Sequence, residues 1–171
     1  RCENLKTNLL QEKNRLEMQT NNEVKQHINM HIAWLEREVL ELEKAIKQKI
    51  DKDPDLKAKD KPLQSIPGIG EKTSATVLAY VAFERFKSAK EVAAFIGVNP
   101  RQRTSGTSIK GRTRLSKTGN AYLRKSLYMP SIAAIRVNST IKRFAEQLTK
   151  NGKTKMVIIG AVMRKLVHVM Y

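Results

Sequence analysis

No aspartate or glutamate lies between Glu91 and Glu146 of this chain, while eleven lysines and arginines fall in that interval. Residues 61–171 hold 4 acidic residues against 21 basic ones. Residues 1–60 carry 12 of each, so the whole formal charge of +17 belongs to the later part. A domain this one-sided repels itself when folded. That argues for a polyanionic partner, nucleic acid first. Cysteine is nearly absent too. Cys2 alone permits no internal disulfide and no cysteine-based metal site, and it suits a reducing compartment. His27 and His31 stand i,i+4 with no third ligand evident, so a solvated pair outweighs a zinc site. Long apolar runs are also missing. Met156–Val162, soon followed by Arg164 and Lys165, is too short to span a bilayer, so no membrane partner is expected. The chain has no signal peptide and begins with Arg1 rather than Met, which predicts a piece of something longer.

Proline and glycine are absent from residues 1–50, which are rich in Glu, Lys, Leu and Gln and read as helix. A heptad runs through Ile28, Leu35 and Leu42 on one position and Ile32, Val39 and Ile46 on the other. Leu5, Leu9 and Leu16 follow a shifted frame, and the polar stretch Gln19–Asn22 between them marks a kink, a turn or a stutter. The pattern predicts a coiled coil that joins two chains, or two antiparallel helices; a single amphipathic helix is the plainer reading. Residues 51–62, charged and with two prolines, read as a linker between the coiled coil of 1–50 and a second domain of 63–171. That domain reads as short helices: Glu71–Phe83, Ala89–Ile96 with Ser88 as its cap and Gly97 as its stop, Ala121 to about Val137, Ser139–Thr149 and Lys153–Met170. Residues 100–118 have only Ile109 and Leu115 as aliphatic anchors and read as a loop or a small hairpin. The fold class is therefore mainly α.

Two stretches carry chemistry. Leu63–Val81 resembles a helix-hairpin-helix motif, with Pro67, Gly68, Ile69 and Gly70 at the turn and Lys72 and Thr73 opening the next helix. Glycines allow the tight turn, and amides at a helix start cradle phosphate. Such a hairpin grips backbone rather than bases. The loop 101–117 is the second stretch. Arg101, Arg103, Lys110, Arg112, Arg114 and Lys117, with Arg124 just beyond, surround three serines and three threonines. Guanidinium groups clamp phosphates, and a hydroxyl among them suits attack on a phosphodiester. Composition does not separate that from a passive phosphate-binding loop. No carboxylate pair in the basic domain is spaced for a two-metal site, and there is no Walker loop and no Ser-His-Asp set.

The runs SIPGIGEKTSATVLAYV, RFKSAKEVAAFIGVNPRQRTSG and SKTGNAYLRKSLYMPSIAAI closely resemble the C-terminal transposase domain of the IS-one-ten/eleven-eleven insertion-sequence recombinases, over roughly Pro62–Tyr171. The resemblance implies a DNA recombinase in which a RuvC-like domain, a coiled coil and this domain follow in order. It implies Mg²⁺ held by four acids of the RuvC-like domain, absent from this chain, and no cofactor here. It implies a serine nucleophile just after the Gly97-Val98-Asn99-Pro100 segment, which makes Ser105 the candidate, ahead of Gly106. Ser108 and Ser116 are rivals, and Ser116 belongs to the Ser-Lys-x-Gly-Asn motif that ends at Asn120. DNA, a possible bridge RNA and a second copy through the coiled coil are the implied partners, in a bacterial or archaeal cytoplasm at the nucleoid. The fragment alone is expected to bind without cutting. The other readings are a non-catalytic helix-hairpin-helix DNA-binding module with a dimerising coiled coil, and a structural RNA-binding protein with a stalk.

Overall fold

A computed structural model describes the backbone of residues 1–105 and 109–171, and the side chains of these apart from 103–112. The chain divides into two compact units, Arg1–Pro54 and Asp55–Tyr171. It is mainly α, with one two-stranded sheet among the described residues. No described helix is long and apolar enough to cross a membrane.

In the first unit, α1 (Cys2–Met18) and α2 (Asn22–Lys52) form an antiparallel hairpin. Lys6 pairs with Glu43 at 3.0 Å and Lys13 with Glu36 at 2.8 Å, so the numbers fall on one helix as they rise on the other. The polar stretch between the helices is a turn. Asn21 ends it as the cap of α2, its Oδ1 accepting the amides of Glu23 and Val24. The heptad thus serves, at least in part, to join two helices of the same chain. Leu5, Ile32 and Leu35 are buried, Ile28, Val39 and Leu42 are half-buried, and Ile46 is exposed. Glu12 is buried in this hairpin, with Arg15 Nη1 at 2.7 Å and His31 Nδ1 at 3.6 Å.

The boundary between the units falls within the expected linker 51–62, but most of that stretch is helical: α3 (Pro54–Ser65) starts at the boundary. Pro54 is the first helical residue, where its missing N–H costs nothing. Lys59 bonds Asp55 one turn back and also reaches Glu84, and both hold the ammonium above its ordinary pKa range. A turn leads to α4 (Glu71–Tyr80), then a 3-10 turn (Phe83–Arg85) and α5 (Ala89–Ile96). Ser88 caps α5 and Gly97 ends it with φ +81, as the sequence suggests. The antiparallel strands β1 (Pro100–Ser105) and β2 (Ile109–Leu115) follow. One long helix was expected from Ala121, but two form: α6 (Ala121–Ser126) and α7 (Tyr128–Val137). Pro130 supplies the reason. It cannot donate to the carbonyl of Ser126 and is tolerated in a first turn, so the helix restarts. The chain ends with α8 (Ser139–Lys150), capped by Asn138, and α9 (Lys155–Met170).

The core of this unit gathers Val77, Val92, Ile96, Leu123, Leu127, Ile141 and the inner face of α9, including Val162, Leu166 and Val167. Helix α9 packs on α5, α7 and α8. Gly119 makes the closest backbone approach of the described glycines. A Cβ on Gly119 would stand 2.1 Å from the Phe95 carbonyl oxygen and 2.6 Å from the Gly97 nitrogen. A Cβ on Gly70 would meet nothing within 4 Å. Gly119→Ala is therefore expected to cost about 3 kcal/mol or more, a fall in Tm of roughly 10 °C. Gly70→Ala should stay within about 1 kcal/mol. Equal melting curves for the two variants would contradict the close approach.

Candidate nucleic-acid interface

Within the basic stretch, β1 and β2 pair as a two-stranded ribbon, the small hairpin of the two readings. Pro100 pairs with Leu115, Arg101 with Arg114, Arg103 with Gly111, Thr104 with Lys110 and Ser105 with Ile109. The register shifts between Arg101 and Arg103, where Arg112 and Thr113 face Gln102, a bulge that bends and twists the ribbon. Arg101 and Arg114 are thus directly opposed, and both are exposed. Like charges directly across a strand pair destabilise it. Arg101, Arg103 and Ser105 take alternate positions of β1, which belong to one face of a strand. Leu115, at the base, packs on Gly160 of α9, with its side chain 3.4 Å from where a Cβ would be. The side chains of Arg103, Ser105, Lys110 and Arg112 lie outside the described residues, as do Gly106 and the rival Ser108 altogether.

The Ser-Lys-x-Gly-Asn motif clamps the base of the ribbon. The amides of Ser116, Lys117 and Asn120 donate to the carbonyls of Asn99, Gly97 and Phe95 at 2.8, 3.2 and 3.1 Å. Lys117 takes φ +55 to make the turn, leaving its side chain exposed. Two expected phosphate contacts also have structural work. Asn120 Oδ1 accepts the amides of Tyr122 and Leu123 at 2.9 and 3.2 Å, capping α6. Arg124 Nη1 donates to the Ile96 carbonyl at 3.0 Å, closing the end of α5. An Asn just ahead of a helix is a cap signal the sequence already carried; nothing in it foretold the tie from Arg124 to Ile96.

The α3–α4 turn is the second basic feature of the unit. Gly68 adopts φ +104 and packs so tightly on α7 that a Cβ would stand 2.8 Å from Ala134 backbone atoms. Ile69 is buried and its amide donates to the Ile66 carbonyl at 2.9 Å, so it anchors the turn in the core. Gly70 is the N-cap of α4, with open space where a side chain would be, and its carbonyl accepts from Thr73 and Ser74. Lys72 is exposed and Thr73 half-buried. Sequence reasoning missed Asp60 and Ser74. Fully buried Ser74 donates through Oγ to Asp60, which also accepts from Gln64 Nε2 at 2.6 Å, tying α3 to α4. The signal was a polar residue on the apolar stripe of α4, in phase with Val77.

The acids of this unit do not assemble a metal site. Glu84 pairs with Lys59, which lowers its pKa, and Glu91 accepts the Lys87 amide at 2.8 Å. Among the described residues no three of His, Cys, Asp and Glu come together as a metal ion requires.

A protein-family profile described as "Transposase IS116/IS110/IS902 family" matches residues 60–146. The chain is 33% identical over 150 residues to a "Pilin gene-inverting protein" of Moraxella lacunata, covering 86% of this chain and 47% of that protein. It is 39% identical over 75 residues to the "Transposase for insertion sequence element IS1111A" of Coxiella burnetii, covering 43% of this chain and 20% of that one. A 43.6 kDa protein of insertion element IS110 in Streptomyces coelicolor is 26% identical over 110 residues, covering 64% of this chain and 27% of that protein. The chain spans about half the length of the pilin gene-inverting proteins it matches.

Because Asn120 is a helix cap, Asn120→Ala should lower stability by about 1 kcal/mol. Thermal melts and binding isotherms on the same variant check this; a several-fold loss of affinity for nucleic acid at native stability would show that Asn120 is a phosphate contact and not a cap.

Proposed function

The chain belongs to the IS116/IS110/IS902 transposase family, and from that premise we propose that it is the DNA-gripping part of a recombinase and presents Ser105 as the nucleophile. The observation that carries this reading is the ribbon. Arg101 and Arg114 oppose each other in the open, and Ser105 shares alternate strand positions with Arg101 and Arg103. A phosphate between such guanidinium groups turns a repulsion into two charge-assisted contacts. Attack by Oγ forms a Ser–phosphate bond and breaks one phosphorus–oxygen bond of the DNA strand; the released oxygen takes a proton. The arginines neutralise charge as it develops. The carboxylates of this unit do not fit a two-metal site, so Mg²⁺ and the base for the Oγ proton are assigned to a RuvC-like domain outside this chain.

The α3–α4 turn adds a second grip, with Gly70, Lys72 and Thr73 at the start of α4 and Gly68 and Ile69 holding the turn on the core. Exposed Lys117 adds a cation at the base of the ribbon, and Arg103, Lys110 and Arg112 stand along its two strands in sequence. Phosphate contacts read no sugar, so a bridge RNA suits the same surface. Self-association is part of the reading: Met30 and Trp34 are 60% and 45% exposed one turn apart on α2, and Met30→Glu with Trp34→Glu should shift sedimentation of the chain toward monomer. A cytoplasmic, nucleoid-associated place follows from such a role.

Binding to duplex DNA should weaken with salt at a log–log slope of roughly −5 if about six phosphates are held. In the complete recombinase, Ser105→Ala should abolish the covalent protein–DNA adduct and strand transfer while duplex binding survives. As a mere phosphate contact, the same change should cost only about 1 kcal/mol, roughly fivefold. An adduct mapped to Ser108 or Ser116, or recombination by the alanine variant, would overturn the assignment in favour of a rival serine or of a non-catalytic DNA-binding module.

A further inference from the structure

A second cationic patch lies where α5 meets α9. Arg164 and His168 stand one turn apart on α9, on the stripe that begins with Gly160 beneath Leu115. Lys165 is beside them, and Lys90 belongs to the facing helix α5. Burial holds the His168 pKa below its ordinary value, and Arg164, Lys165 and Lys90 push it the same way, so all three cations act on one ring. Charged groups on the other elements packed against α9 are Arg136 on α7 and Lys142, Arg143, Glu146 and Lys150 on α8; none of them acts on His168. The acid next to Lys90, Glu91, is committed to the Lys87 amide. Among the described residues, no carboxylate pairs with Lys90, Arg164, Lys165 or His168.

Two enclosed polar atoms of this stripe also lack a partner, Arg164 Nε and His168 Nε2. Folded proteins leave few such groups unpartnered.

We propose that Lys90, Arg164, Lys165 and His168 form a second phosphate-binding site, which takes a backbone phosphate of the same nucleic acid that the ribbon engages. The proposal rests on the nucleic-acid reading of the ribbon. Eight residues of α9 separate Gly160 from His168, about 12 Å, a short span along a duplex. A phosphodiester supplies the negative charge and the acceptor oxygens that this patch lacks. It also reverses the behaviour of His168. In the free protein the depressed pKa means that acid favours the unfolded chain, which takes the proton more readily. Beside a phosphate the imidazolium is stabilised, so binding takes up a proton and strengthens as pH falls through about 6.5.

The test is fluorescence anisotropy of a labelled DNA duplex with the whole chain. Lys90 and Lys165 are exposed, so Lys90→Gln and Lys165→Gln keep the fold, and each should weaken binding several-fold and reduce the log–log salt slope by about 1. At constant salt the parent should bind more tightly from about pH 7.5 to about pH 5.5, and His168→Gln should flatten that gain. Imidazole ¹⁵N signals of the unsubstituted chain should show the His168 pKa rising when duplex is added. Binding lost in Arg101→Gln with Arg114→Gln but unchanged in Lys90→Gln with Lys165→Gln, with a fixed His168 pKa, overturns the second site and leaves the ribbon reading standing. No salt-dependent binding by the parent chain overturns both.

Discussion

Phe95, Gly97 and Asn99 give their carbonyls to the amides of Asn120, Lys117 and Ser116. This seam joins the end of α5 to the start of α6 and carries the ribbon between them. It forms only because Gly97 and Gly119 let two backbones come closer than a Cβ allows. Arg124 then lies against Gly97 and closes the end of α5 on the Ile96 carbonyl. The basic surface therefore stands on a joint held mainly by backbone. The hydrogen bonds that fix it are backbone ones, indifferent to the salt that governs phosphate contacts.

The distribution of charge sets the second constraint. Acids of the Asp55–Tyr171 unit are tied up in structural pairs, Asp60 with Ser74 and Glu84 with Lys59, while Arg101, Arg114, Lys117 and Lys125 remain exposed. Among the described residues the pairs that hold helices use the acids, while several cations are left at the surface. A buried core around α9 keeps this repelling surface folded.

Sequence was most informative where one residue type does one local job. Ser88 and Gly97 mark both ends of α5, and the alternation of Gln19–Asn22 with apolar frames marks the turn between α1 and α2. It was least informative where a tertiary contact decides. Charge made 51–62 look like a linker, but Pro54 suits a helix start and Leu63 buries the far end. Pro130 split an expected single helix because it has no N–H to give the Ser126 carbonyl, while buried Leu127 and Ala134 on either side carry the apolar pattern across the break. Asn120 and Arg124 read as phosphate ligands from their company of cations, and the sequence did not show that both also hold helix ends. Ser105 could be placed near arginines by spacing alone; its rank above Ser108 and Ser116 came from resemblance, and the ribbon register is what sets it in line with Arg101 and Arg103.

The ribbon is also a lever. Its fulcrum is the Leu115–Gly160 contact and the clamp at Ser116, and Ser105 stands five strand positions out from Pro100, about 17 Å. Two strands with no third neighbour bend more easily than a full sheet. Small rotations at the fulcrum thus become displacements of ångströms at the serine. The clamp at the base thus governs where the far end of β1 stands.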